Sequence, residues 1–320
     1  MEENIHHYQQ DLLGESYERT TLHLKHDDEG PVVATLVRKK NFEKTRKAAL
    51  YVHGYIDYFF QTEMAEQFNL HGYDFYALDL RKYGRSYLPH QSLFHVKDIK
   101  EYDEEISLSL DMIEKEGHDC VVMCGHSTGG LTMTYYTIRH PHHSLIKALW
   151  LNSPFYDFNT DMLTKKIGLP LVGVLAKLFP NLRMPNGLNK HYARSLHKDH
   201  LGEWDFNLDW KPLDFPYSSI SFIRAVHQVH QVLASGSKIN VPTLVMYSKQ
   251  SKNPKEWSED IAKSDLVLNV KDIEEKAKKL YGDITTMSIE NGIHDLVLSS
   301  KDVRNQVYQS LFSWLQEKGV

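Results

Sequence analysis

The sequence predicts an α/β fold in which helices cover both faces of a mostly parallel central sheet, with an inserted, mainly helical cap. Short apolar runs with strand character alternate with longer amphipathic segments along most of the chain, which is typical of parallel sheets. This alternation stops over residues 159–238, where helix-like segments and proline-rich connections replace it, and resumes at Val241. We therefore expect a core domain formed by residues 1–158 and 239–320, and a cap formed by residues 159–238.

Composition and charge narrow the class of protein. The 320 residues are 41% hydrophobic and 25% charged, which is ordinary for a globular chain. A net charge of −5 without any basic block argues against a nucleic-acid partner. No apolar run approaches the roughly 18 residues of a membrane span, and the polar N-terminus lacks the apolar segment of a secretory signal. Two cysteines are too few for a disulfide scaffold. We expect a soluble, cytoplasmic protein.

The core elements are predicted in chain order after a polar lead-in, residues 1–17, that we expect to be irregular or partly helical. The predicted strands cover residues 20–26, 31–37, 47–53, 73–80, 121–124, 146–151, 241–247 and 284–289. The predicted helices cover residues 58–71, 97–116, 131–139, 271–280 and 300–318. The turn Asp27-Asp28-Glu29-Gly30 joins the first two strands into a hairpin. In the second helix, apolar residues recur at three- and four-residue spacing, at Ile99, Tyr102, Ile106, Leu110 and Ile113.

One pentapeptide indicates chemistry: Gly125-His126-Ser127-Thr128-Gly129 lies between a predicted buried strand and a predicted helix. A Gly-x-Ser-x-Gly in that setting is typical of a nucleophile elbow, a strained turn that projects the serine hydroxyl beyond the sheet. The two glycines let strand and helix pass closely. A chance match in a glycine-rich turn is the alternative, and the flanking strand and helix disfavour it. Ser127 is therefore the predicted nucleophile.

A serine nucleophile needs a base, and the base needs an orienting acid. In enzymes with this elbow the acid and then the histidine follow the serine along the chain. His294 lies in the loop after the last predicted strand, where the base is expected. The loop directly after strand 241–247 contains no acid, so we favour Asp265 further along the chain. Asp260 and Asp272 remain alternatives for the acid.

The anion that forms during acyl transfer needs two backbone donors, one after the nucleophile and one in the loop after the third strand of the sheet. These are predicted to be the N–H groups of Thr128 and Tyr55. His53 is expected to hold the Tyr55 turn by hydrogen bonding and not to act as a base. No cofactor is required. We predict no metal site either, because the histidines of residues 140–143 have no paired acid.

The cap contains the most apolar stretch of the protein, residues 168–180. This stretch is too short to span a bilayer, and we expect it to pack over the core domain. Lining an acyl pocket and transient contact with a lipid surface are the alternatives. The other cap side chains that could contact a substrate are Tyr192, Asp209, Trp210, His227 and His230.

Taken together, these motifs resemble those of the α/β-hydrolase superfamily, and within it the serine aminopeptidase S33 and monoglyceride lipase–lysophospholipase group. The motifs His53-Gly54, 79–86, 125–130 and 292–295 occur in the order seen there. The similarity covers roughly residues 45–158 and 240–318. It implies an α/β-hydrolase fold with the following site residues: Ser127 as nucleophile, His294 as base, Asp265 as acid, and Tyr55 with Thr128 as oxyanion donors. In much of that group the acid follows its strand within a few residues, whereas residues 253–258 intervene here.

The function expected from these features is a serine hydrolase that cleaves small-molecule carboxylic esters through an acyl-enzyme. The apolar cap favours small or medium acyl chains, as in a monoacylglycerol or a lysophospholipid. Two alternatives stay open. An S33-type aminopeptidase would need a cap acid to pair with the substrate amine, and Glu203 or Asp205 could serve. A catalytically silent hydrolase fold that binds a small molecule is the alternative from another class.

Overall fold

A computed structural model describes residues 7–320, and eleven strands and eight α-helices lie within that range. The strands are β1 (Gln9–Asp11), β2 (Gly14–Asp27), β3 (Gly30–Lys39), β4 (Lys47–Val52), β5 (Asp74–Asp79), β6 (Cys120–His126), β7 (Ile146–Asn152), β8 (Arg183–Pro185), β9 (Tyr217–Ser219), β10 (Thr243–Ser248) and β11 (Ile284–Ile289). The helices are α1 (Thr62–Leu70), α2 (Asp103–Lys115), α3 (Thr128–Arg139), α4 (Leu169–Leu178), α5 (His191–Leu196), α6 (Ile220–Ala234), α7 (Val270–Ala277) and α8 (Lys301–Glu317).

Nine of these strands form one sheet in the order β1-β2-β3-β5-β4-β6-β7-β10-β11. The six strands from β5 to β11 in this order pair in parallel. The three N-terminal strands add an antiparallel edge to them, with β2 and β3 forming the predicted hairpin. The prediction of a mostly parallel sheet is confirmed.

Helices cover both faces of this sheet because its central strands are apolar on both sides. On β4, Leu50 and Val52 belong to one hydrophobic core, and Ala49 and Tyr51 belong to the other. Helices α2, α3 and α7 pack in the first core, and α1 and α8 pack in the second. Such continuous apolar runs are what a parallel strand buried on both faces requires. The predicted helices on both faces are therefore present.

Two sequence predictions about local structure are wrong. The helix predicted for residues 58–71 begins only at Thr62, because side chains hold the preceding backbone outside a helix. The Asp79 carboxylate accepts the Phe59 N–H at 2.9 Å, and the Gln61 side chain accepts the Phe60 N–H at 3.0 Å. Side-chain bonds to the backbone of this kind compete with helix formation.

The second error concerns the predicted lead-in. Residues 1–6 lie outside the described range, and residues 7–17 contain β1 and the start of β2 in place of an irregular or helical segment. The Arg85 guanidinium pairs with the Asp11 carboxylate at 2.8 Å, and both side chains are buried. This pair fixes the segment at the edge of the sheet.

Between β7 and β10 the chain forms the cap, which consists of α4, α5, α6 and the short antiparallel pair β8–β9. The cap is mainly helical, as expected, but the β8–β9 pair was not predicted. Its proposed limits, residues 159–238, remain a prediction. Within residues 7–320, no helix combines the length and the apolar character that a membrane crossing requires.

Candidate active site

Ser127 lies in the turn between β6 and α3 with a backbone that non-glycine residues seldom adopt, at φ 51° and ψ −115°. The flanking glycines make this turn possible. A Cβ on Gly129 would lie 2.3 Å from the carbonyl oxygens of Val52 and His53, and one on Gly125 would lie 2.6 Å from the Gly129 oxygen. Only glycine permits helix and strands to pass this closely. This is the local geometry expected of a nucleophile elbow.

The predicted base and acid meet the serine through two hydrogen bonds. The Ser127 hydroxyl lies 3.0 Å from Nε2 of His294, and Nδ1 of the same ring lies 2.8 Å from Oδ2 of Asp265. Because a carboxylate only accepts, the imidazole donates through Nδ1 and leaves Nε2 free to accept the serine proton. All three side chains are buried. Three residues predicted from distant parts of the sequence thus form one continuous chain of hydrogen bonds.

The acid occupies its place through long-range backbone pairing. The Asp265 N–H donates to the Gln250 carbonyl at 3.0 Å, and the Lys252 N–H donates to the Asp265 carbonyl at 3.0 Å. Residues 253–264 therefore leave the end of β10 as an excursion, and Asp265 returns beside the end of the strand. The extra residues that separate the acid from its strand in the sequence do not separate it in space.

Two backbone N–H groups also orient the carboxylate of Asp265. Its Oδ1 accepts the N–H groups of Val267 at 2.7 Å and Leu268 at 2.8 Å, which leaves Oδ2 for His294. The two alternative acids lie elsewhere: Asp260 is exposed, and Asp272 pairs with Lys165 at 2.9 Å.

The predicted oxyanion donors lie beside the nucleophile. Tyr55 and Thr128 line the same cavity as Ser127 and His294. Thr128 is the first residue of α3, so its N–H has no partner within the helix. Within residues 7–320, neither the Thr128 nor the Tyr55 N–H donates to another protein group. Both donors are therefore available to a ligand.

His53 holds the turn that carries Tyr55, as predicted. Its Nδ1–H donates to the Gly54 carbonyl at 2.8 Å, and its Nε2 accepts the Leu80 N–H at 3.1 Å. Burial lowers the pKa of His53, so the ring is neutral in the form that both bonds require. The histidine ties the end of β4 to the end of β5.

Asn152 is a structural member of the site that the sequence analysis missed. Its carbonyl accepts the Ser127 N–H at 3.0 Å and the His126 Nδ1–H at 3.1 Å. Its side chain donates to Asp295 at 2.7 Å and accepts the Leu296 N–H at 3.2 Å. Asn152 thereby joins the serine turn to the base loop. Its place at the carboxyl end of β7, the edge where α/β sheets bind ligands, was a signal available in the sequence.

A cavity of about 680 Å³ opens onto the serine, within the range of small-molecule sites. Its lining includes the apolar side chains Phe155, Phe158, Leu169, Phe222 and Leu268. The polar side chains Asp57, His126, Tyr192 and Lys211 also line it. The buried Lys211 ammonium donates to the Asp57 carboxylate at 2.8 Å. This bond links the cap to the turn that carries Tyr55.

Of the cap residues proposed for substrate contact, only Tyr192 lines the cavity in the described part of the chain. Asp209 is exposed, and Trp210 packs against Tyr58 with ring centroids 5.2 Å apart. His230 is buried, and its Nε2–H donates to the Phe155 carbonyl at 2.7 Å. His227 does not line the cavity either.

Three buried side chains near the serine have the spacing of a metal-binding group. One ligand atom each from Asp57, His126 and Asp295 lies within 4.8 Å of the others. Asp57 is already paired with Lys211, however, and Asp295 accepts hydrogen from the Asn152 amide. Both carboxylates therefore already have partners within the protein.

The family model for serine aminopeptidase S33 matches residues 43–298. The chain belongs to this family. No curated protein matches this chain by sequence. Solved structures similar to this S33 protein include a soluble variant of monoglyceride lipase from Saccharomyces cerevisiae in complex with a substrate analogue, at 18% identity and a TM-score of 0.69, covering 92% of this chain and 94% of that one.

Two further structures are similar. The monoacylglycerol lipase of Paleococcus ferrophilus shares 19% identity at a TM-score of 0.64, covering 88% of this chain and 99% of that one. A highly thermostable carboxyl esterase from Bacillus coagulans, in complex with glycerol, shares 14% identity at a TM-score of 0.64, covering 94% and 99%. Such similarity establishes the α/β-hydrolase fold of this S33 hydrolase.

Proposed function

We propose that this S33 hydrolase cleaves carboxylic esters through an acyl-enzyme on Ser127. The observation that carries the proposal is the hydrogen-bonded chain from Ser127 through His294 to Asp265, which opens onto a largely apolar cavity. An activated serine needs such a base and acid, and the cavity offers room for an acyl chain.

In the proposed reaction, the Ser127 oxygen attacks the ester carbonyl carbon while its proton passes to Nε2 of His294. The N–H groups of Tyr55 and Thr128 stabilise the negative oxygen of the tetrahedral intermediate. Collapse of the intermediate breaks the bond to the alcohol, which takes the proton from the imidazole. Water then gives a proton to His294 and attacks the acyl-enzyme, and the carboxylic acid leaves as Ser127 regains its proton. Asp265 keeps the imidazole in the required tautomer throughout.

The lining of the cavity supports a substrate with one apolar and one polar part. The aromatic and aliphatic side chains favour a medium-length acyl chain, and Asp57 and Lys211 favour a hydroxyl-bearing alcohol. We therefore propose a monoacylglycerol- or lysophospholipid-like ester. The names of two similar structures, a monoglyceride lipase and a monoacylglycerol lipase, agree with this class.

The aminopeptidase alternative has less support. The two cap acids suggested for binding a substrate amine lie away from the cavity. Glu203 pairs with Arg304 at 2.5 Å, and Asp205 pairs with Lys198 at 2.7 Å. Two other acids line the cavity, and each has a cationic partner: Asp57 pairs with the buried Lys211, and the exposed Asp214 pairs with Arg194. An amine would therefore have to compete with a lysine or an arginine for either carboxylate.

We further propose that the cap contacts anionic lipid surfaces. The apolar stretch of the cap was expected to pack over the core domain, but only its inner side is packed. Five side chains at helical spacing point outward and are 57–68% exposed, namely Leu163, Ile167, Leu171, Val174 and Leu178. Lys166 and Lys177 on the same stretch are exposed, with no acidic partner in the described part of the chain. An apolar stripe flanked by lysines suits an interface with anionic lipid.

The first experiment is hydrolysis of p-nitrophenyl esters from acetate to palmitate, with amino-acid p-nitroanilides alongside and Ser127→Ala as the control. Ester turnover that disappears in the variant, together with fluorophosphonate labelling of Ser127, supports the proposal. Turnover of anilides alone would move the proposal to a peptidase. A folded protein that neither turns over substrate nor reacts with the probe would favour the catalytically silent alternative.

The lipid proposal is tested separately by sedimentation with phosphatidylserine or phosphatidylcholine vesicles. We expect binding to the anionic vesicles that is lost in Leu171→Asp/Val174→Asp, while hydrolysis of a short, water-soluble ester is unchanged. Equal binding of wild type and variant would refute the assignment of this surface.

A further inference from the structure

The short cap helix α5 contacts the loop that carries the predicted base. The ring of Tyr192 packs edge-on against the His294 ring, with centroids 5.6 Å apart. Its hydroxyl oxygen accepts the N–H of Asp295, the residue directly after the base, at 3.2 Å. Burial and the nearby Asp295 carboxylate raise the pKa of Tyr192 well above its ordinary value, so the hydroxyl is neutral at every working pH. The cap thereby holds the backbone beside the base.

The start of the same helix contacts the excursion that carries the predicted acid. The Asn189 side-chain amide donates to the Asn253 side chain at 2.8 Å and to the Pro254 carbonyl at 3.1 Å. Two residues later, the His191 Nε2–H donates to the Lys255 carbonyl at 3.2 Å. All three acceptors lie on the excursion that precedes the acid. Residues 189–192, which we call the cap strut, therefore contact both the acid and the base loops.

The serine does not depend on the strut in the same way. Its turn is fixed by the close crossing of β4, β6 and α3 and by its N–H bond to Asn152. The base and the acid lie on loops outside this crossing. The excursion that leads to the acid is mostly exposed, so additional tethers matter most there, whereas the base loop is buried and meets the cap through Tyr192.

We infer that the cap strut is a positioning element that holds His294 and Asp265 in line with Ser127. The inference rests on the proposed function of that triad. Asn189 and Tyr192 also line the cavity, so a ligand there contacts the strut as well as the base and acid loops. The strut residues act through the triad and do not exchange protons with the substrate.

Saturation kinetics of fluorophosphonate labelling at Ser127 test this role without knowledge of the natural substrate. The variants are Tyr192→Phe, Asn189→Ala and the double variant. Because one hydrogen bond is lost, Tyr192→Phe should lower the maximal labelling rate roughly five- to tenfold and leave the half-saturating probe concentration within about twofold. Asn189→Ala should have a smaller effect, since one of its bonds is exposed and the other only partly buried, and the double variant should have a larger effect.

The matched control is Arg194→Gln on the same helix, whose guanidinium donates to Asp214 and to the Lys190 carbonyl and, within residues 7–320, forms no hydrogen bond to the acid or base loop. It should label at the wild-type maximal rate. Wild-type maximal rates in all strut variants would overturn the inference. An equal fall in the control and in the strut variants would overturn it too, because the effect would then be general loosening of α5.

Hydrogen exchange separates this inference from the proposed function. Peptides covering residues 253–264 and 292–298 should exchange faster in the double variant and not in Arg194→Gln. If wild-type Ser127 fails to react with the probe, the proposed function fails, and the exchange result alone decides the positioning role. Unchanged exchange in both peptides would overturn it, and faster exchange in both would support it.

Discussion

Replacing Asp265 with asparagine tests the member of the triad for which the sequence left two alternatives. In the folded protein, Oδ1 accepts two backbone N–H groups and Oδ2 accepts the Nδ1–H of His294. Asparagine keeps the first oxygen and turns the second into an amino group that can only donate. The imidazole must then accept at Nδ1, so its proton moves to Nε2, where it can no longer take the proton of Ser127.

The expected loss in kcat is about 10⁴-fold, the size found when the orienting carboxylate of a triad is replaced by its amide. It corresponds to about 5.5 kcal/mol in the activation barrier. The free energy of unfolding should change by only about 1 kcal/mol, because the backbone N–H groups of Val267 and Leu268 keep their acceptor. The substitution therefore separates catalysis from stability.

The assay is kcat on the best p-nitrophenyl ester, with urea unfolding of the same preparations. Asp260→Asn and Asp272→Asn are matched controls, because each makes the same chemical change at an alternative acid. Both should keep activity close to that of the wild type. An Asp265→Asn variant that retains more than about a tenth of wild-type kcat would refute the assignment, as would an inactive but folded Asp260→Asn or Asp272→Asn.

Three further predictions concern stability in urea. Gly129→Ala should lower the free energy of unfolding by about 3 kcal/mol or prevent folding, since the new Cβ would lie 2.3 Å from backbone oxygens. Gly173→Ala in α4 has open space around its Cβ and should raise the free energy of unfolding by about 0.5–1 kcal/mol. Equal effects of the two substitutions would contradict the geometry. Lys211→Met should cost about 3–5 kcal/mol by leaving the buried Asp57 carboxylate unpaired, and the double variant Asp57→Asn/Lys211→Met should recover most of that loss. Burial lowers the pKa of His230 to about 4. In the unfolded chain this histidine has a pKa of about 6.5, so below that pH the unfolded chain binds a proton that the folded protein does not bind. The free energy of unfolding should therefore fall by about 2 kcal/mol between pH 7 and pH 5 through this residue. His230→Gln should lose correspondingly less over that range, and an identical pH dependence would count against the neutral buried ring.

Sequence reasoning succeeded where one short segment contains the whole cause of a structure. The elbow is such a case, because the glycines around Ser127, the preceding strand and the following helix are all local. The alternation of strands and helices predicted the sheet for the same reason. It failed where the cause lies far away in the chain. β1 depends on the pairing of Asp11 with Arg85, and the late start of α1 depends on Asp79 accepting a distant N–H.

The acid shows the same limit within the site itself. The sequence favours Asp265, but its distance from β10 leaves Asp260 and Asp272 open as alternatives. Backbone bonds to Gln250 and Lys252 remove that distance, yet such pairing has no signature in residue type. Closure of the loop is what places the carboxylate of Asp265, and not that of Asp260 or Asp272, beside His294. The geometric placement of this carboxylate is therefore information that the fold adds to the sequence.

The three members of the proposed triad differ in what holds them. The serine sits at a crossing of strands and helix where even one additional carbon atom does not fit. The acid and the base sit on loops after β10 and β11, and those loops bond to cap residues Asn189 and Tyr192. A change in the cap can then alter the alignment of base and acid while the nucleophile stays in place. In a fold whose function resides in the loops at the carboxyl ends of its strands, the cap can adjust reactivity as well as substrate access.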